Sequence, residues 1–263
     1  MTETELIFTE ALGCKIDKLY LDRDRILTLR ESRFISSALK RRALGEPIQY
    51  ILGKTEFMGL EFKLNKHVLI PRPETEILVE TVLRYAKKSF LKDKDILELG
   101  TGSGCIAISV AKSLLEHRVA ATDISLEALR LAALNAKLNG VGKRVSFILS
   151  NLFSSLFFFK KQYSLCVSNP PYIPTDEIDK LQPELKYEPR IALDGGRDGL
   201  KFYRRIINEP KDYLQKGGIL ILEIGYNKSE ELKKIFSLSK RFEIVEIIKD
   251  YNSIDRVVVA KRS

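Results

Sequence analysis

The stretch Ser168-Asn169-Pro170-Pro171-Tyr172 holds side chains whose types and order suit chemistry. It follows a short apolar run, Tyr163 to Val167, that reads as a buried strand. Each proline fixes its own φ and drives the residue before it towards extended backbone, so Asn169 and Pro170 are both held. Neither Pro170 nor Pro171 has a backbone N–H. What remains is a fixed pair of acceptors, the Asn169 side-chain oxygen and the Pro170 carbonyl, beside the Tyr172 ring. Such a corner suits a planar group that carries N–H donors. Residues of these types also occur in ordinary turns, so the reading depends on what precedes them.

Upstream lies Glu98-Leu99-Gly100-Thr101-Gly102-Ser103-Gly104, at the end of one strand and the start of a helix. Glycines at alternate positions let the backbone turn sharply and let a ligand approach its amides. Asp123 closes the next strand, where a carboxylate can accept both ribose hydroxyls of a nucleoside. The spacing G-x-G-x-G differs from the dinucleotide pattern G-x-G-x-x-G, because Cys105 and Ile106 follow Gly104. It therefore indicates a nucleoside ligand without a pyrophosphate. The rival reading is a tight strand-to-helix turn with a surface Asp. Glu98 either tunes this loop or caps the helix after it. Arg72 and Glu74 either shape a substrate channel or form an interdomain ion pair. His67 and His117, the only histidines, stand near no Ser or Cys nucleophile pattern. Asp194 to Gly199 is glycine-rich, but no Lys follows at P-loop spacing.

The elements that must position these residues are legible as patterns. Residues 1–44 carry apolar residues at helical spacing, with Asp22 and Ser32 as candidate caps. Residues 45–73 are punctuated by Gly and Pro around short β-prone pieces, Ile48 to Leu52, Thr55 to Phe57 and Leu60 to Leu64. They read as a β-hairpin connector. Residues 74–263 begin with a helix near Thr75 and then alternate strands and helices. The strands are expected at Asp95–Leu99, Arg118–Thr122, Val145–Leu149, Tyr163–Val167 and Gly218–Ile224. A terminal antiparallel pair follows at Phe242–Ile248 and Arg256–Ala260. Helices are expected at Ser103–Leu115, Leu126–Leu138, Gly199–Leu214 and Lys228–Leu238. This alternation predicts an α/β fold, a mostly parallel sheet covered on both faces, with ligands beyond the carboxyl ends of its strands.

Composition sets the class. The 263 residues are 44% apolar and 30% charged, as in soluble folded proteins. No apolar run is long enough to span a bilayer, and the acidic start Met1-Thr2-Glu3-Thr4-Glu5 lacks the pattern of a signal peptide. Three cysteines have no metal spacing and fit reduced thiols in a cytoplasmic protein. The formal charge of +9 fits an acidic partner and equally a solubilising surface.

Gly100–Gly104, Asp123 and Asn169–Tyr172 together resemble the class I S-adenosylmethionine-dependent methyltransferases. The Asn-Pro-Pro-Tyr form resembles those that methylate an amide or exocyclic amine nitrogen. Ile70–Glu76, Glu188–Leu193 with Gly195–Gly199, and Lys249-Asp250 with Asp255-Arg256 resemble the release factor glutamine methyltransferases. That resemblance covers nearly the whole chain. It implies a Rossmann-like, seven-stranded methyltransferase sheet, a small amino-terminal helical domain that binds release factor, and a connector. It implies S-adenosyl-L-methionine as cofactor and S-adenosyl-L-homocysteine as product. The substrate would be the glutamine of the Gly-Gly-Gln motif in class I peptide chain release factors, with no nucleic acid or membrane required and a monomer as the working form. By position, Gly100, Thr101, Gly102, Ser103 and Gly104 would line the methionine part of the cofactor. Asp123 would hold its ribose, Leu152 would face its adenine, and Asn169 would touch cofactor and substrate. Asn169, Pro170, Pro171 and Tyr172 would grip the glutamine, with Asn169, Pro170 and Tyr172 as the catalytic set. Two departures stand out. Asn151-Leu152 replaces an acidic residue followed by Trp, and Ser253 stands where Gly is usual in the last hairpin. The alternative activity is methylation of an exocyclic amine of adenine or guanine in nucleic acid, since such an amine presents the same donors.

Overall fold

The computed structural model describes residues 1–22, 24–88, 95–159, 161–209 and 213–263. Three helices lead: α1 (Glu3–Leu12), α2 (Ile16–Leu21) and α3 (Leu29–Ala43). Thr2 and Thr28 cap α1 and α3 in capping boxes with Glu5 and Glu31. The expected caps Asp22 and Ser32 do not serve: Asp22 closes the end of α2, and Ser32 lies inside α3. The Thr28–Glu31 box satisfies two orphan N–H groups reciprocally, which neither Asp22 nor Ser32 can match. Ile48–Leu52, expected as a β-prone piece, is a short helix, α4. Pro47 precedes its first turn, and Gly53 at φ 71° closes it. Its Ile48 and Ile51 join Ile7, Ile35 and Ala38 in one buried cluster, so tertiary burial overrides the local preference.

The connector then forms the hairpin β1 (Lys54–Phe57) and β2 (Leu60–Lys63), paired antiparallel. Met58 and Gly59 turn it with φ of 52° and 70°, the geometry that matches strand twist in a two-residue loop. The Met58 N–H donates to Glu76 Oε1 at 2.6 Å, which ties the hairpin to α5 (Glu74–Lys88).

The rest alternates as expected: β3 (Ile96–Leu99), α6 (Cys105–Ser113), β4 (Val119–Asp123), α7 (Leu126–Leu138), β5 (Val145–Leu149), β6 (Tyr163–Ser168), α8 (Lys201–Asn208), β7 (Leu214–Glu223), α9 (Ser229–Ser239), β8 (Phe242–Lys249) and β9 (Asp255–Arg262). The helix expected over Gly199–Leu214 is shorter. It ends at Asn208, residues 210–212 lie outside the described residues, and Leu214 already pairs with Tyr163 as a strand residue. The seven strands lie in the order β5-β4-β3-β6-β7-β9-β8, with β9 antiparallel to both neighbours. Ile96, Leu165, Val167 and Ile221 face one buried cluster, and Leu97, Cys166, Leu220 and Leu222 face the other. The central strands are thus covered on both sides, as a parallel sheet requires.

Strand order reverses at β3, which has β4 on one side and β6 on the other. Leu99 and Ser168 are register partners, so Gly100 and Asn169 leave the sheet side by side. That is the crevice where ligands of open α/β sheets bind. In the last hairpin Ser253 adopts φ 62°, the left-handed backbone a glycine would supply. Asp250 Oδ1 holds the turn by accepting from Asn252 N–H (2.9 Å) and Ile254 N–H (3.1 Å), and its Oδ2 accepts from Arg256 (3.0 Å).

Candidate active site

Gly100, Gly102 and Gly104 have φ of 74°, 53° and 84°. The amides of Gly100 and Thr101 both donate to the Thr122 carbonyl, at 2.8 and 2.9 Å, which pins the loop to β4. A Cβ at Gly100 or Gly102 would meet nothing within 4 Å, whereas one at Gly104 would lie 2.8 Å from Ile108 Cδ1 and 3.1 Å from Ala132 Cβ. The three glycines therefore do two jobs. Gly100 and Gly102 keep a left-handed backbone beside open space, and Gly104 lets α6 pack against α7.

The open space is a cavity of about 270 Å³. Gly100 to Ser103 and Asp123 border it on the side of β3 and β4, Leu152 after β5, and Asn169 to Pro171 after β6. Two of the residues that the resemblance assigns to cofactor or substrate do not line it. Gly104 is in the helix packing, and Tyr172 stands beside the cavity. Tyr172 is seated by glycines: a Cβ at Gly195 would lie 2.7 Å from its Cα, one at Gly225 would lie 2.7 Å from its Cδ2, and one at Gly199 would run into its carbonyl. The stretch Asp194–Gly199 thus serves as the bed of Tyr172. Burial pushes the Tyr172 phenol up to about 12, so it stays neutral.

Asp123 does more than face the cavity. Its Oδ2 accepts from Gly102 N–H (2.8 Å) and its Oδ1 from Ser125 N–H (2.9 Å). Both oxygens keep lone pairs for further donors. Burial raises its pKa, against the pull of these backbone N–H groups. Glu98 is fully buried, and its Oε2 accepts from Thr101 Oγ1 (2.6 Å) and Ala107 N–H (3.2 Å). It joins the glycine loop to the first turn of α6, which answers both sequence readings. Among the described residues its Oε1 finds no hydrogen-bond partner.

Burial pushes Glu98 from the ordinary 4.5 up to about 7, with Asp123 adding to the rise and the two hydrogen bonds opposing it. The folded protein then binds this proton more tightly than the unfolded chain does. Stability from this group is full below pH 4.5 and is lost as pH rises towards 7, by on the order of 3 kcal/mol. Glu223, pushed up to about 7 chiefly by burial, acts in the same direction. Glu98→Gln is therefore expected to shrink by about half the loss of stability between pH 5 and pH 8. Denaturant melts at the two pH values check this; an undiminished loss contradicts it.

Two other lining residues, Phe202 and Arg205, carried no sequence signal. Phe202 and Arg205 come from α8, and the Arg205 guanidinium donates to Asn151 Oδ1 at 2.7 Å. Leu152, beside them, has φ 55°. Arg72 lines the cavity and also pairs with the buried carboxylate of Glu188, whose Oε2 accepts from Ile70 N–H at 3.1 Å. The pair locks the connector onto the Glu188–Leu193 segment. Thr75, in the first turn of α5, reaches the cavity and accepts from Asn169 Nδ2 at 3.2 Å. Cys105 lines the cavity too, but burial pushes its thiol up to about 12, so it is no nucleophile at neutral pH. Among the described residues no cluster of His, Cys, Asp or Glu could hold a metal ion, and no helix is long and apolar enough to cross a membrane.

Comparison with known proteins identifies the family. Residues 73–182 match the family described as methyltransferase small domain, and residues 1–53 match the PrmC N-terminal domain. A release factor glutamine methyltransferase of Thermodesulfovibrio yellowstonii is 43% identical over 95% of this chain and 88% of its own length. One of Geobacter sulfurreducens is 42% identical over 97% of this chain and 87% of its own. Among solved structures, a human methyltransferase 10 domain containing protein shares the fold with a TM-score of 0.57 at 18% identity, covering 85% of this chain and 96% of that one. With such identity along almost its full length, the chain belongs to the release factor glutamine methyltransferase family.

Proposed function

We propose that this enzyme methylates the side-chain amide nitrogen of the glutamine in the Gly-Gly-Gln motif of class I peptide chain release factors, using S-adenosyl-L-methionine. The observation that carries the reading is the register of Leu99 with Ser168, which sets the open glycine loop next to Asn169 and Pro170 on one cavity. The residues present suit the cofactor. Gly100 and Gly102 leave room for close approach, Asp123 offers carboxylate acceptors to a ribose, and Leu152 and Phe202 offer apolar faces to a base.

When bound, S-adenosylmethionine supplies a methyl group already activated by a sulfonium, so the protein need furnish no nucleophile. Its task is to align a poor one. Asn169 Oδ1 and the Pro170 carbonyl accept the two N–H groups of the carboxamide and aim its nitrogen into the cavity. They also favour the positive charge that grows on that nitrogen. Alignment of this kind can contribute up to about 7–11 kcal/mol. Tyr172, neutral and bedded on Gly195, Gly199 and Gly225, packs beside the flat amide. In this reading residues 1–44 dock the release factor, residues 45–73 connect, and residues 74–263 carry the chemistry, in a cytoplasmic monomer that needs no nucleic acid. Incubation of purified enzyme with cofactor and a release factor, followed by mass spectrometry, is expected to show one added methyl on that glutamine. Label transferred to RNA or DNA, and none to release factor, would instead identify an exocyclic-amine methyltransferase.

A further inference from the structure

A second carboxyl is buried close to the Asn-Pro-Pro-Tyr corner without bordering the cavity. Glu223 ends β7, the strand beside β6, and is 1% exposed. Leu222 before it is the register partner of Ser168, so Glu223 lies beside Asn169, and the side chains of Thr75 and Asn169 face its carboxyl. Asn169 Nδ2 donates to Thr75 Oγ1 at 3.2 Å. The three side chains thus lie together, drawn from α5, the end of β7 and the loop after β6, with a hydrogen bond joining Asn169 to Thr75.

The arrangement solves a specific problem. The two ends of an Asn amide are nearly alike in shape and opposite in hydrogen bonding. Only the oxygen can accept the substrate N–H groups; the NH2 end would present donor to donor. A carboxyl beside the amide attracts its NH2 end and disfavours its oxygen, which leaves Oδ1 for the cavity. We infer that Glu223, with Thr75 between, is a positioning residue for the methyl transfer, fixing which end of the Asn169 amide meets the substrate. The inference rests on the reading of Asn169 given above. A carboxyl this deeply buried is costly to the fold, which favours a role at the site over one in stability.

The groups facing Glu223 are Arg256 from β9, Glu74 from α5, Tyr172, and Tyr203 from α8, whose hydroxyl donates to the Glu223 carbonyl at 3.0 Å. Arg256 favours the charged form; burial and Glu74 oppose it. The role does not require the charge. Among the described residues Oε2 finds no hydrogen-bond partner, so it can carry a proton while the other oxygen stays free to act as an acceptor. Gln at this position can accept in the same way, and an apolar residue cannot.

The test is steady-state kinetics on release factor, with cofactor affinity measured by calorimetry. Glu223→Leu and Thr75→Val are each expected to lower kcat roughly 10- to 100-fold, as loss of an orienting partner does elsewhere, with cofactor affinity held within about threefold. Glu223→Gln and Thr75→Ser should recover most of that loss. In an Asn169→Ala background, Glu223→Leu should cost no more than about twofold further, because the residue it orients is gone. A full further loss there, or Thr75→Val at the wild-type rate, overturns the inference. Should Glu223→Leu fail to fold, Thr75→Val against Thr75→Ser decides alone. If Asn169→Ala itself turns over at the wild-type rate, the site reading fails; if Asn169→Ala is dead and Thr75→Val intact, only this inference fails.

Discussion

Asn169→Ala is expected to lower kcat roughly 10²- to 10³-fold while cofactor affinity stays within about tenfold. The reason is where its interactions are spent. Asn169 leaves β6 opposite Gly100, at the point where the strand order reverses. Its Nδ2 is already committed within the protein, to Thr75. Its Oδ1 is the acceptor left for substrate, and that bond tightens as the amide nitrogen gains positive charge. An interaction stronger in the transition state than in the ground state appears in kcat rather than in KM. The cofactor, by contrast, has Asp123 and the open glycine loop to hold it. Calorimetry with S-adenosylhomocysteine beside single-turnover kinetics separates the two effects. A variant that loses cofactor binding and keeps kcat at saturation would move Asn169 from the chemistry to the cofactor pocket.

The site divides into a part written in contiguous sequence and a part that only folding assembles. Gly100, Gly102, Asp123 and Asn169 were legible because each obeys a local rule: a left-handed turn after a strand, a carboxylate closing the next strand, a prolyl corner. Local rules also drew most of the sheet, since runs such as Tyr163–Val167 are too apolar and too short to be anything but buried strands. Thr75 and Glu223 were not legible as partners. They lie on α5 and β7, far apart in the chain, and meet Asn169 only when those elements pack. Phe202 and Arg205 stayed hidden for the same reason, as side chains of an ordinary amphipathic helix until α8 meets the loop after β5. The misread Ile48–Leu52 shows the opposite case. Its β-branched residues favour a strand, but Pro47 and Gly53 bracket a single helical turn that buries Ile48 and Ile51. The glycines of Asp194–Gly199 could be weighed in sequence only against P-loop spacing and a family motif, because the ring and backbone they seat, those of Tyr172, lie far upstream and meet them only on folding.

Asp123→Ala should give the mirror image of Asn169→Ala: cofactor affinity roughly 10- to 100-fold weaker, with kcat at saturating cofactor lowered less than about tenfold. Hydrogen bonds to a charged acceptor are worth about 1.5–3 kcal/mol each, and leaving a donor without one costs a similar amount. Removal of the carboxylate takes away the acceptors offered to the ribose. It also frees the Gly102 N–H, now held at 2.8 Å, so the loop that faces the cavity loses one of its anchors. The pins from Gly100 and Thr101 to Thr122 remain, which is why the loop should weaken rather than collapse. Asp123→Asn is not a mild alternative. Both carboxylate oxygens accept from backbone N–H groups, Gly102 on one and Ser125 on the other, so an amide must turn its NH2 towards one of those donors. Its affinity should therefore fall nearly as far as that of Asp123→Ala. Titration calorimetry of both variants with S-adenosylhomocysteine measures this directly. Wild-type affinity in Asp123→Asn would mean that Gly102 and Ser125 do not depend on the carboxylate, and that the ribose is held by some other group.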